Sequence, residues 1–322
     1  MALRNREVRE SISNVLGLVH SFRMPRLLFL LTIFCLLLPT PAPAQQARSG
    51  PQLVTHLHQV YQGWRTAMVR RDGRAWQRFT SIPRRISVRN RIYSERRPFP
   101  QAVFELPAAP PSLTGLKALR VRVKGLTAKA VYFGKVNFSV PGKAPTDNLY
   151  LISYQKEGPD WKYNGAEFIN LSALPEVRKD LRAGKLDFVD TPDFKPTGIL
   201  EKAPTALKGP VNYIAKTYVF CPGREVKLKV NGRSDHLFQN TKDAEVVIGG
   251  AFPGENRVQY SVKDIPGGDP KAPLTIRIYL MSEIKGQQPI KVMQYQVEDG
   301  AKPKNSGTVR FQVSPEMIRR LR

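Results

Sequence analysis

The sequence predicts an α+β domain, helices first and an antiparallel sheet after them, followed by an all-β sandwich. Three observations carry this. Apolar residues recur at three- and four-residue spacing through residues 51–94. From residue 119 to 171 the pattern switches to alternation. Beyond a stretch rich in Pro, Lys and Gly at 190–210, eight short segments of strand character follow at regular spacing, with Gly and Pro between them. The expected boundaries are a signal peptide at 1–44, the α+β domain at 51–188, a linker at 189–210, the sandwich at 211–314 and a basic tail at 315–322.

The first helix follows from Leu53, Val54, Leu57, Val60, Tyr61, Trp64, Ala67 and Met68, which share one face. Asp72-Gly73 interrupts it, and Asp72 suits the N-cap of a second helix holding Ala75, Trp76 and Phe79. Ser81 can cap a third, with Pro83 in its first turn and Ile82 and Ile86 turned inward. Five prolines between 98 and 111 predict a stiff extended connector without regular structure. Leu119, Val121 and Val123 alternate with basic residues as a half-buried strand, and 128–138, 148–156 and 161–171 continue the sheet. A short helix at 174–183 closes at Gly184. The later strands are expected at 213–220, 224–230, 234–239, 243–249, 256–263, 273–281, 289–297 and 307–313. Asn231-Gly232 marks a hairpin, because both residues tolerate positive φ.

The N-terminus predicts export. Arg26 precedes an apolar run from Leu27 to Leu38; Pro39, Pro41 and Pro43 end the run, and Ala42-Pro43-Ala44 offers a small-x-small cleavage site. The run is shorter than the ~20 residues of a membrane span, so no integral membrane segment is expected after cleavage. Met24 is an alternative start, and the general secretory route fits better than a twin-arginine one. Periplasmic or extracellular placement follows. Cleavage removes Cys35 and leaves Cys221 alone, which excludes an intramolecular disulfide and makes Cys221 a small buried hydrophobe. It also removes five arginines and two acids, moving the net charge from +25 to +22. That balance attracts anions, and export favours an anionic envelope component or acidic polymer over nucleic acid.

The first domain resembles the nuclear transport factor two-like, or SnoaL-like, superfamily. The likeness rests on the helix ending Trp64-Arg65-Thr66-Ala67-Met68, the break at Asp72 before Ala75-Trp76, and the strand pair holding Tyr150–Tyr154 and Trp161-Lys162-Tyr163. It covers about residues 51–171. The resemblance implies helices packed on a curved antiparallel sheet around a conical pocket. Trp64, Trp76 and Trp161 are candidate pocket aromatics that could stack on a sugar or base, with core packing as the alternative because each falls in an apolar periodic position. Family enzymes use an Asp or an Asp–His pair in that pocket, whereas this sequence has no His between His58 and His236. The second domain resembles an immunoglobulin-like sandwich by strand number alone, without the usual cysteine pair.

Few constellations carry chemistry. His56 and His58 are two apart, which on a helix rules out an i, i+4 metal pair. Asp187, Asp190 and Asp193 miss the alternate spacing of a calcium loop and read as a solvated acidic linker start. Asp235 and His236 are neighbours in a strand and face opposite sides. No metal site and no cofactor are expected.

The arginines stand apart. Eleven lie between residues 65 and 97, opposed by Asp72 and Glu95 alone. Residues 45–116 hold twelve Arg and no Lys, while 117–322 hold twelve Arg and 22 Lys. Like-charge pairs one turn apart cost about 0.2–0.5 kcal/mol each, so local helix stability does not explain the cluster. Arg supplies a rigid fork matched to carboxylate and phosphate oxygens. The alternatives are a solvated basic face, reflecting GC-rich codon use, and an anion-binding face with Arg84, Arg85 and Arg89 as contacts. The expected function is therefore a non-enzymatic exported binding or scaffold protein. The alternative is an enzyme acting on a small molecule or glycan in the conical pocket.

Overall fold

The computed structural model describes residues 50–136, 145–269 and 271–321. The expected signal segment 1–44 lies outside the described residues, and no described helix is long and apolar enough to cross a membrane. Within them the chain is mixed α+β, with five α-helices and three four-stranded antiparallel sheets. In chain order these are α1 Pro51–Arg70, α2 Gly73–Phe79, α3 Ile82–Ser94, β1 Lys117–Lys124, β2 Thr127–Val136, β3 Thr146–Glu157, β4 Asp160–Asn170 and α4 Pro175–Arg182. Then come β5 Ala215–Phe220, β6 Arg224–Val230, β7 Ser234–Gln239, β8 Lys242–Val246, β9 Gly254–Asp264, β10 Leu274–Leu280, β11 Ile290–Val297, β12 Ser306–Val313 and α5 Pro315–Leu321.

The elements divide into two compact units that do not follow sequence order. One contains residues 50–81 and 108–201; the other contains 82–107 and 202–321. The stretch 51–188, expected as one domain, is thereby interrupted, because α3 groups with the C-terminal strands. Specific hydrogen bonds explain this. The buried Asn90 side chain donates to Thr205 O at 2.9 Å and accepts from Leu207 N at 2.9 Å. Ser94 Oγ accepts from Gly249 N at 2.9 Å, and Val211 N donates to Tyr93 O at 3.1 Å. Arg96, just past the helix, pairs with Glu283 at 2.8 Å and donates to the carbonyls of Val211 and Asn212.

In the first unit the sheet runs β1-β2-β3-β4 by simple hairpins. Its strands bury different residues on each face, as a period of two requires. Leu119, Val131, Phe133, Leu149 and Leu151 join Leu181, Val189 and Phe194 in one apolar cluster. On the opposite face, Tyr150 meets Tyr61 of α1, and Tyr163 stacks on Trp64 at 3.9 Å between centroids. Covering both faces makes β3 buried without interruption from Asn148 to Ile152. The start of the expected linker is packed rather than solvated: Phe194 is in the core, and Asp190 accepts from Arg120 Nε at 3.0 Å and from Arg122. The proline-rich connector is likewise not wholly irregular, since Gln101–Phe104 form a 3₁₀ turn that buries Ala102 and Val103 in the other unit. An isolated turn of this kind needs no continuous hydrogen-bond ladder and so tolerates flanking prolines.

In the second unit one sheet runs β11-β10-β5-β8 and the other β12-β9-β6-β7. A single apolar cluster draws on both, with Val219, Ile276 and Ile278 from the first and Val226, Leu228 and Val258 from the second. Cys221 is buried in that cluster. The Asn231-Gly232 turn has the expected positive φ, at 52° and 67°.

Two expected outcomes follow from these contacts. Asn90→Ala leaves the Leu207 N–H and the Thr205 carbonyl without their partner. It should cost roughly 2 kcal/mol in urea unfolding, while exposed Gln77→Ala stays within about 0.5 kcal/mol. The hydrogen bonds from Arg120, ahead of the opposing burial, hold the Asp190 carboxyl below its ordinary range. Its stabilisation is therefore complete above the unfolded carboxylate value and lost as pH falls through the folded one. Asp190 is 42% exposed, so the difference between wild type and Asp190→Asn should reach only about 1 kcal/mol at pH 7. That difference should shrink below about pH 4, as read from denaturant midpoints across pH.

Candidate anion-binding surface

The helical pair α1–α2 is built by three local devices. α1 ends at Arg71, which takes a left-handed conformation (φ 55°), and Asp72 N then donates to Ala67 O at 2.9 Å. The Asp72 side chain caps α2 as expected, accepting from Ala75 N at 3.0 Å. Gly63 lets the helices close: a Cβ there would lie 2.3 Å from the Phe79 ring. Inward-facing Tyr61 and Trp64 leave Gln62, Thr66 and Arg70 as an outward i, i+4 stripe.

Beside that stripe lies an open cleft of about 320 Å³. Gly63, Ala67, Ala75 and Phe79 make its apolar floor. Gln62, Thr66, Arg70, Asp72 and Arg78 bring polar groups to it. The Arg78 guanidinium sits 4.9 Å from the Phe79 ring centroid, a cation–π contact that holds the charge near the cleft.

The eleven arginines separate into distinct fates. Arg65 donates to Pro110 O at 2.8 Å. Arg91 pairs with Glu95 at 3.2 Å, and Arg97 with Glu105 at 2.7 Å and Glu95 at 3.2 Å. Burial works against the Arg97 charge, but the hydrogen bonds to these two carboxylates outweigh it and raise its pKa. Arg70, Arg71, Arg74 and Arg78 are exposed on α1–α2, with Asp72 the one acid in that stretch. Arg84, Arg85 and Arg89, the contacts expected from sequence, lie half-buried on α3 in the other unit. Arg85 and Arg89 are one turn apart, and their Nε atoms are buried with no hydrogen-bond partner. Arg84 stands about 100° around the helix from Arg85. The helix thus presents two of the three together, and the most exposed guanidinium set is on α1–α2.

Trp64, Trp76 and Trp161 are 5%, 3% and 8% exposed. They pack into the core, as the core-packing alternative expected, and are not pocket aromatics of this cleft. Tyrosines from α1 and the first sheet meet nearby. Tyr61 OH donates to Pro111 O at 2.7 Å and lies 3.1 Å from Tyr150 OH. Burial pushes the Tyr132 phenol up to about 12 and raises Tyr61, Tyr150 and Tyr154 as well. All four are neutral near pH 7, so none is poised as a general base there.

One constellation escaped the sequence reading. Ser234 Oγ lies 2.7 Å from His236 Nε2, and His236 Nδ1 lies 2.6 Å from Glu245 Oε2. The alternation of β7 puts Ser234 and His236 on one face, a signal present in the sequence. Glu245 comes from β8, in the other sheet of that unit, and no local pattern announces it. The geometry matches a nucleophile, base and orienting acid. Access does not: Ser234 and His236 are 1% and 3% exposed, and Ser234 Oγ also accepts from Ile248 N at 2.7 Å. The set acts as a polar strut linking β7, β8 and the segment after β8.

Comparison with protein-family models, curated proteins and solved structures returns no match.

The strut reading has a direct check. Ser234→Ala and His236→Leu should each lower stability by about 1–3 kcal/mol. A fluorophosphonate should leave native Ser234 unlabelled, as seen by intact-mass spectrometry.

Proposed function

We propose that the chain is an exported, non-enzymatic binding protein whose α1–α2 arginine surface engages an anionic envelope component or acidic polymer. The observation that carries this reading is the exposed set Arg70, Arg71, Arg74 and Arg78, two of which, Arg70 and Arg78, line an open cleft, with Asp72 the one acid in that stretch of sequence. Evenly spread charge would serve solubility equally well. These guanidiniums are concentrated on two short helices, although other arginines of the same run are tied to carboxylates or carbonyls. Guanidinium forks in solvent remain available for carboxylate or phosphate oxygens.

The finer architecture belongs to the same reading. Contacts of Tyr61 and Trp64 with Tyr150 and Tyr163 support helices laid on the first sheet, as in the nuclear transport factor two-like plan. The cluster shared by two four-stranded sheets supports a β-sandwich. The signal-like segment at 24–44 supports export, which favours an envelope or extracellular polyanion.

Chromatography on a sulfonate resin tests the surface. Replacing Arg70, Arg71, Arg74 and Arg78 by Ala should move elution to clearly lower salt. It should also weaken polyanion binding about tenfold, at about 0.2–1 kcal/mol per exposed pair. Wild-type binding should itself fall steeply with ionic strength. Arg84/Arg85/Arg89→Ala should shift elution less. Elution of the fourfold variant with wild type would overturn the proposal.

A further inference from the structure

We infer that the α1–α2 cleft recognises a uronic acid residue of an acidic glycan, an inference that rests on the anion-binding reading of the same surface. Four properties of the cleft point to this ligand class. Its charge is supplied by Arg70 and Arg78, whose planar forks match a carboxylate as well as they match a phosphate. The remaining groups discriminate between the two.

First, the floor of Gly63, Ala67, Ala75 and the Phe79 ring is apolar. A phosphate gains nothing from such a floor and gives up hydration on reaching it. A pyranose has C–H faces that bury favourably against it. Second, Gln62 and Thr66 each bring a donor and an acceptor to the lining, with Gln62 Nε2 keeping one N–H beyond its 3.4 Å contact with His58 Nε2. Sugar hydroxyls use both functions, whereas phosphate oxygens are served mainly by donors. Third, Asp72 lines the same cleft. With Oδ1 taken by the Ala75 N–H, its other oxygen can accept a hydrogen bond from a sugar hydroxyl, a donor that a deprotonated phosphate lacks. Fourth, the volume of about 320 Å³ suits a single ring rather than a bare ion, and its open side allows a polymer to continue past it.

The outward stripe Gln62, Thr66 and Arg70 then has a division of labour. Arg70, with Arg78 across the cleft, fixes the carboxylate. Gln62 and Thr66 read the hydroxyls, and the Phe79 side of the floor receives the ring. Exposed Arg71 and Arg74 draw the polymer in without contacting the ring.

Calorimetric titration of the full chain with polygalacturonate, inorganic polyphosphate and dextran separates the possibilities. Polygalacturonate should bind more tightly than polyphosphate at equal charge concentration, and dextran should not bind. Gln62→Leu and Thr66→Val should weaken polygalacturonate about fivefold to tenfold and leave polyphosphate unchanged, whereas Arg70→Ala and Arg78→Ala should weaken both. Thr66→Ala replaces Thr66→Val if circular dichroism shows that variant unfolded. Polyphosphate binding as tight as polygalacturonate, with Gln62 and Thr66 variants unaffected, would overturn the glycan inference and leave the anion-binding reading standing. Failure of both polyanions to bind would overturn both. Dextran binding as tightly as polygalacturonate would also overturn the inference, because the arginines would then be idle.

Discussion

The arrangement of the candidate site depends on how Tyr61 and Trp64 lock α1. Tyr61 is fully buried, donates to Pro111 O and touches Tyr150 OH, while Trp64 stacks on Tyr163. Two directional hydrogen-bond contacts and a ring stack fix the rotation of α1 about its axis more tightly than aliphatic packing alone would. With that rotation set, Gln62, Thr66 and Arg70 have to face outward, since they sit on the opposite side of a 3.6-residue helix. The close approach of Gly63 to Phe79 sets the second coordinate, bringing Arg78 alongside. A side chain at position 63 would displace the Phe79 ring and with it the cleft floor.

Two arginines of the lysine-free run show what a guanidinium supplies structurally. Arg65 on α1 is used structurally, reaching a carbonyl of the 108–111 segment, and Arg96 reaches two carbonyls and a carboxylate at once. Lysine, as a compact point charge, does not supply such multi-pronged bonds from one rigid plane. On α1–α2 the same property would serve the proposed ligand, because the exposed guanidiniums there outnumber Asp72. Four exposed guanidiniums crowded together cost tenths of a kcal/mol per pair, a penalty that a bound polyanion would reverse.

Much of the local structure was legible in the sequence. Strand alternation placed β5 to β12 within a few residues, because β5, β6, β7, β9 and β10 bury alternate residues and the period-2 signal survives there. The Asp72 cap and the Asn231-Gly232 turn were legible for a similar reason, each being decided by backbone atoms within three residues. What escaped was non-local. Asn90 looks like an unremarkable helix residue until Thr205 and Leu207 meet it, more than a hundred positions away. Asp190 looked solvated because Arg120 and Arg122 lie in a distant strand. Glu245 completes the Ser234–His236 pair from a different sheet. The arginine run was visible as composition, but its division between two units required tertiary contacts that composition does not encode.

The tyrosine-filled interior of the first unit bears on where recognition can occur. A ligand entering among Tyr61, Tyr132, Tyr150 and Tyr154 would have to displace phenols that bury large apolar area and, for Tyr61, break bonds at both 2.7 and 3.1 Å. An anion there would also lose its hydration, in surroundings where burial disfavours negative charge. On α1–α2 the balance reverses. The guanidiniums remain hydrated until a ligand arrives, the floor offers apolar contact, and the open side avoids enclosing a charge in low dielectric. Interactions made this way are individually weak and screened within about 8–10 Å at physiological salt. Useful affinity then comes from repetition, which a polymer supplies by offering many equivalent charged rings to one cleft and its flanking arginines. A surface of this kind suits retention on an extended polyanion better than tight capture of a single small molecule.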